Sequence, residues 1–245
     1  MPDFSQLLKD NPFAGDDGSL TTALAKAFDE PEHLRFEAVV ASLGRVVIPV
    51  MPHARPAVDP SGKVAEHQKV SANPLDDAGD DLLDVDFPGG RKAYPIFSSA
   101  QALAQYDPQA RPLLVTAQNM AQAAMTRGEG LLVLDPGLDA QQWLGRSAVV
   151  ALATGKGDQW VAPWNDERIP REVQSSLPYA IPGFDHIVLE PARYGAVRVI
   201  VHILAGTSRD QAVAAIETIA AILTRNEYVR ARLDVVEIRP FFAGV

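Results

Sequence analysis

Apolar residues recur along the chain in blocks whose spacing switches between helical and extended, and the switches fall at residues that start or stop elements. Leu20, Ala23, Leu24, Ala27 and Phe28 lie at helical spacing after Ser19, which can N-cap, and predict a first short helix. Pro31 opens a second, with Leu34, Ala38 and Leu43 as its inner stripe and Gly44 as its stop. RVVIPVMP, 45–52, is a β-branched run closed by proline and reads as a strand. Over 52–90 the pattern dissolves into Pro, Gly, Asp and Lys, which predicts a mobile, solvated, acidic loop. Periodicity then returns as strand 93–97, helix 99–106, strand 112–116, helix 117–127 and strand 130–135. The joints carry matching chemistry: Ser98 with Gln101 as a capping box, Thr116 as an N-cap, Gly128 as a helix stop, and Asp135-Pro136-Gly137 as a turn. This order predicts a β-α-β-α-β layer covered on at least one face.

Downstream, RSAVVALA, 146–153, reads as an apolar strand, with a helix end as the alternative. GKGDQWVAPWNDERIP, 155–170, mixes Gly, Pro and charge and reads as a connector. A helix near Pro170, strands near 185–191 and 196–204, a long helix and a closing strand 233–239 follow it. The long helix is the clearest element, with Ser208 and Gln211 as a second capping box and Val213, Ile216, Ile219, Ala220 and Leu223 as one apolar stripe. The expected class is therefore α+β: a mixed β-sheet with helices packed on it over 1–154, then a smaller α-β-β-α-β domain over 155–245. Strand 196–204, AVRVIVHIL, is the expected exposed edge of the second sheet, because its alternation looks imperfect.

Composition narrows the chemistry. The 245 residues are 47% apolar and 22% charged, ordinary values for a globular protein. A net charge of −9 and no basic cluster argue against nucleic-acid and anionic-lipid partners. Segment 73–87 holds six acids and no base, so without it the net charge would be −3 and most of the acidity is local. No apolar run approaches the roughly 20 residues of a membrane span, and MPDFSQLLKD lacks a basic start with an apolar core, so a cytoplasmic protein is expected. The chain has no cysteine, which removes disulfides, thiolate nucleophiles and iron–sulfur ligation.

Catalytic and ligand motifs fall short one by one. Gly145-Arg146-Ser147-Ala148-Val149 lacks the last glycine of a nucleophile elbow. Gly155-Lys156-Gly157 has neither the upstream glycine nor the Ser or Thr of a P-loop. Asp76, Asp77, Asp80, Asp81, Asp84 and Asp86 resemble a calcium loop in composition alone. His33, His53, His67, His186 and His202 form no close ligand pair in sequence, although His186 and His202 can meet on adjacent strands. No catalytic, cofactor-binding or metal residue is assigned, and no cofactor is expected. Trp143, Trp160 and Trp164 gather near the connector and are the candidate interface residues, either packing the two domains together or anchoring an outside partner.

Tyr94-Pro95-Ile96-Phe97-Ser98-Ser99 with Leu103, the Ala-rich helix 117–127, and Leu134-Asp135-Pro136-Gly137 together resemble the SseB family, named for enhanced serine sensitivity. Ser98 stands for the usual Thr, and Asp135 for the Asn of a typical Asn-Pro-Gly ending. The resemblance covers roughly residues 18–153, and residues 168–245 are similar in outline to the family's second domain, ending in VRARLDVVEIRPFF. It implies a fold and no reaction, cofactor or catalytic residue. The reading is a non-catalytic binding or regulatory module whose partner is another protein or a second copy. The alternative is an enzyme, a hydrolase or transferase acting on a small molecule.

Overall fold

A computed structural model describes residues 13–50 and 83–243. Most of the predicted acidic loop, with His53, His67 and the first four aspartates of the cluster, lies outside those residues. The protein is α+β, with two main hydrophobic cores in chain order. The upstream half begins with α1 (Thr22–Phe28) and α2 (Glu32–Ser42), followed by β1 (Arg45–Val50), β2 (Val85–Phe87) and β3 (Arg91–Ile96). Next come α3 (Ala100–Tyr106), β4 (Arg111–Thr116), α4 (Ala117–Arg127), β5 (Leu132–Leu134), β6 (Gln142–Leu144) and α5 (Arg146–Ala153). The last residues of the predicted loop are thus structured: β2 turns back onto β3, pairing Val85 with Ala93.

Cap chemistry explains where several helices start. Thr116 accepts the Asn119 amide at 3.0 Å, and Gly128 ends α4. α1 starts later than predicted, with Thr21 as its cap. Ser99, not Ser98, caps α3 through the Ala102 amide at 3.0 Å. The Ser98 amide, which a capping box would give to the Gln101 side chain, instead donates to the buried Asp135 carboxylate at 2.8 Å. Arg45 fastens the segment before α1 to this strand end, with its guanidinium on both oxygens of Asp16 and on the carbonyls of Ser19 and Ser98.

Two expectations are corrected upstream. The β-α-β-α-β run is not one layer: β3 and β5 pair in parallel within the sheet β2-β3-β5-β6, whereas β4 pairs antiparallel with β1 in a separate ribbon. In that ribbon Pro49 faces Pro112, and a two-stranded ribbon tolerates the missing donors that a central strand would not. The bridge Val47–Phe97 joins ribbon to sheet. RSAVVALA is a helix, α5, because the chain buries Ala148, Val149 and Leu152, a helical face, and its alanines favour that form.

The downstream half contains α6 (Arg168–Ser175), β7 (Phe184–Pro191), β8 (Val197–Ile203), α7 (Arg209–Arg225), α8 (Glu227–Arg232) and β9 (Val236–Phe242). The Ser208/Gln211 box is complete, with both reciprocal bonds formed. The short α8, capped by Asn226, is an element the periodicity did not separate from α7. β8 is not an edge: it lies between β7 and β9, and its burial alternates strictly along the strand. Ile169, Val173, Val199, Val201, Ala215 and Ile219 form this half's core. Among the described residues no helix is long and apolar enough to cross a membrane.

Candidate functional site

The two halves meet around Phe36 on α2, a buried ring. Trp160 stands edge-on to it, with centroids 5.3 Å apart, and Trp164 stacks on it at 5.8 Å. Two short 3-10 turns, Gly157–Gln159 and Pro163–Asn165, place these rings. Glu37, one residue after Phe36, holds the connector by accepting the Ala162 amide at 2.7 Å and the Asn165 side-chain amide at 2.9 Å. Trp164 donates its indole N–H to the carbonyl of His33, and Trp160 donates to Ser147 Oγ. Trp160 and Ala162 belong to the upstream core, and Trp164 packs against both cores. The segment read as a connector is therefore packed against α2.

Trp143, on β6, packs instead between Phe87 and Tyr194. Tyr194 lies in the turn from β7 to β8 with φ 61°, a left-handed conformation that a tyrosine adopts only when its surroundings impose it. Its neighbour Gly195 has φ 83° and touches Phe36 so closely that a Cβ there would lie 2.8 Å from the ring. The three tryptophans thus contact the junction at two places and do not form one cluster.

An ion cluster completes the junction. Asp234, between α8 and β9, has a buried side chain that accepts from Arg91 Nη1 at 2.7 Å and from Arg146 Nε at 3.0 Å. The Arg146 backbone amide donates to the same carboxylate at 2.6 Å. Gly145 permits this approach, since a Cβ there would lie 2.6 Å from Asp234 Oδ2. On the far side of the connector, Asp166 accepts from Arg232 Nε at 3.0 Å and the Tyr228 hydroxyl at 2.7 Å. Burial, followed by the bond to Asp166, raises the Tyr228 pKa. Sequence reading missed Phe36, Tyr194 and Asp234.

Beside these contacts opens a cleft of about 250 Å³ to which both halves contribute. Glu32, Arg35, Asp139 and Gln142 line it from upstream, and Arg193 and Tyr194 from downstream. Arg35 is anchored by its Nε on the Glu30 carbonyl, and the Arg193 guanidinium lies over the Tyr194 ring. The lining contains no Ser, Thr, Lys or His. His186 and His202 do meet, with rings stacked 4.1 Å apart, on the C-terminal sheet. Ser147 receives the Trp160 indole, and Lys156 follows α5, where its amide closes on the Ala151 carbonyl. No group of three or more metal-ligating side chains occurs among the described residues.

Other displaced titrations belong to structural pairs. The Arg45 guanidinium lowers Asp16, a hydrogen bond from Arg168 lowers Glu172, and hydrogen bonding to Asp86 raises Lys92. Burial raises the Asp135 pKa against the opposing bond from Ser98. With a folded-state pKa above the unfolded one, the buried anion costs nothing where both states are protonated and weakens the fold as pH rises through the raised value. Asp135→Asn keeps the acceptor for Ser98 and suits the backbone φ of 48°. Its melting temperature should exceed the parent's near neutral pH and converge with it below about pH 3.5. Parallel melting curves from pH 3 to 8 would sink this account.

These features define an α+β protein whose two halves are joined by an aromatic and ionic junction with a polar cleft beside it. A family model described as the SseB protein N-terminal domain matches residues 20–151, and the chain belongs to that family. Neither the curated proteins nor the solved structures provide a match.

Proposed function

We propose that this SseB-family protein is a non-catalytic binding module, cytoplasmic and cofactor-free, whose site is the junction cleft. In this reading residues 1–154 and 155–245 act as two domains, the second being the family's C-terminal domain. The observation that carries the proposal is the composition of the cleft: two arginines and two acids converge there, with no Ser, Thr, Lys or His in the lining. Such a lining suits a small polar molecule carrying both signs of charge or several hydrogen-bonding groups. The tryptophans serve in the same reading as packing that holds the cleft's walls, with Trp143 supporting Tyr194 and Trp164 lining the opening.

A thermal-shift panel of small polar metabolites on the whole protein tests this. A true ligand at 100 times its dissociation constant should stabilise the protein by about 2.7 kcal/mol. Arg193→Ala and Asp139→Ala should abolish that shift while leaving the unliganded melting temperature nearly unchanged. Turnover of a panel compound would overturn the non-catalytic part of the proposal. A shift that survives both substitutions would overturn the placing of the site.

A further inference from the structure

β9 closes one side of the C-terminal sheet. At its two ends the Val197 amide bonds the Val235 carbonyl and the Ala243 amide bonds the Ile203 carbonyl, so odd-numbered residues turn their backbone groups toward β8. Val236, Ile238, Pro240 and Phe242 consequently turn theirs outward. Pro240, which has no N–H, stands where an edge strand accepts it. Among the described residues no strand pairs with this edge. Val236 and Phe242 are 37% and 44% exposed along it. The side chains of Glu237 and Arg239 lie on the opposite face of the sheet from Ile238, which packs on the core.

We infer that this edge pairs with the same edge of a second copy, antiparallel, about a two-fold axis through Ile238. The argument is self-complementarity, which a two-fold interface requires. With the axis at Ile238, Glu237 of each copy faces Arg239 of the other, giving two opposite-charge pairs. Shifting the axis by one residue places Glu237 against Glu237 or Arg239 against Arg239, and like charges directly opposed are destabilising. In the favoured register the two Ile238 residues exchange both backbone bonds, and each Val236 amide reaches the Pro240 carbonyl of the other copy. Pro240 lacks the donor that would return a second bond to each Val236, which limits the edge to few backbone bonds and leaves charge to select the register. The product is one continuous six-stranded sheet, and the inference stands independently of the junction cleft.

Sedimentation of the full chain from about 1 to 200 µM tests it, together with Glu237→Arg, Arg239→Glu and their equimolar mixture. The parent should sediment at twice the 26.4 kDa chain mass at the upper concentrations. Each single variant opposes like charges and should dimerise at least about tenfold more weakly. In the mixture one chain presents two positive positions and the other two negative ones, so the dimer should return. A monomeric parent means that the edge is bare or covered within the chain, and overturns the inference. Single variants that dimerise as tightly as the parent, or a mixture of folded variants that stays monomeric, overturn it equally.

Discussion

Trp160→Ala should lower the free energy of unfolding by about 3–5 kcal/mol, as expected for truncating a buried tryptophan. Trp160 is 8% exposed and its ring meets the Phe36 edge. The space it would vacate cannot close easily, because Phe36 is already fixed on its other sides by Trp164 and by the backbone of Gly195. The indole's bond to Ser147 would be lost as well. Trp143 is only half-buried, so Trp143→Ala should cost about 1–2 kcal/mol. Urea denaturation of the two variants provides the comparison. A loss below about 1 kcal/mol for Trp160→Ala, together with failure to capture an outside partner, would transfer this ring from the junction to an external interface.

The second large effect is expected at Asp234. Asp234→Ala leaves Arg91 partly buried without its carboxylate and removes an acceptor from the Arg146 amide, for a loss of about 3 kcal/mol. The estimate sits at the lower end for broken buried pairs because Arg146 is half-exposed and water can solvate it. A double-mutant cycle with Arg91→Ala should return a coupling of about 1–3 kcal/mol. Additive losses would mean that Arg91 and Asp234 act separately.

These two sites were unequally legible. Trp160 stood out because rare, large rings cluster near a compositional break, yet sequence could not say that the ring would be buried against Phe36, which is 124 residues upstream. Asp234 gave no signal: its partners lie 88 and 143 residues away, and an acid between a helix and a strand is common on any surface. Local chemistry read well where it stayed local, as at Thr116, Gly128 and the Ser208/Gln211 box. It failed where a distant group intervened, as when Asp135 took the Ser98 amide that the predicted box would have given to Gln101, and the cap fell to Ser99. Strand pairing was the least accessible, since whether β4 joins β1 or β3 depends on long-range geometry that no local pattern carries. The α5 error is of another kind, because a short apolar run carries no dependable period and the register of burial settles its form.

The packing of Trp160 on Phe36 also sets an order of events during synthesis. At ordinary elongation rates the 124 residues from Phe36 to Trp160 take roughly 6–25 s to emerge, and the strands of the first sheet, from β2 to β6, appear within that interval. For that interval the nascent upstream half presents an uncovered aromatic ring. It acquires two walls when the connector arrives and another when Gly195 follows, so the matched family domain is completed by residues that lie beyond it.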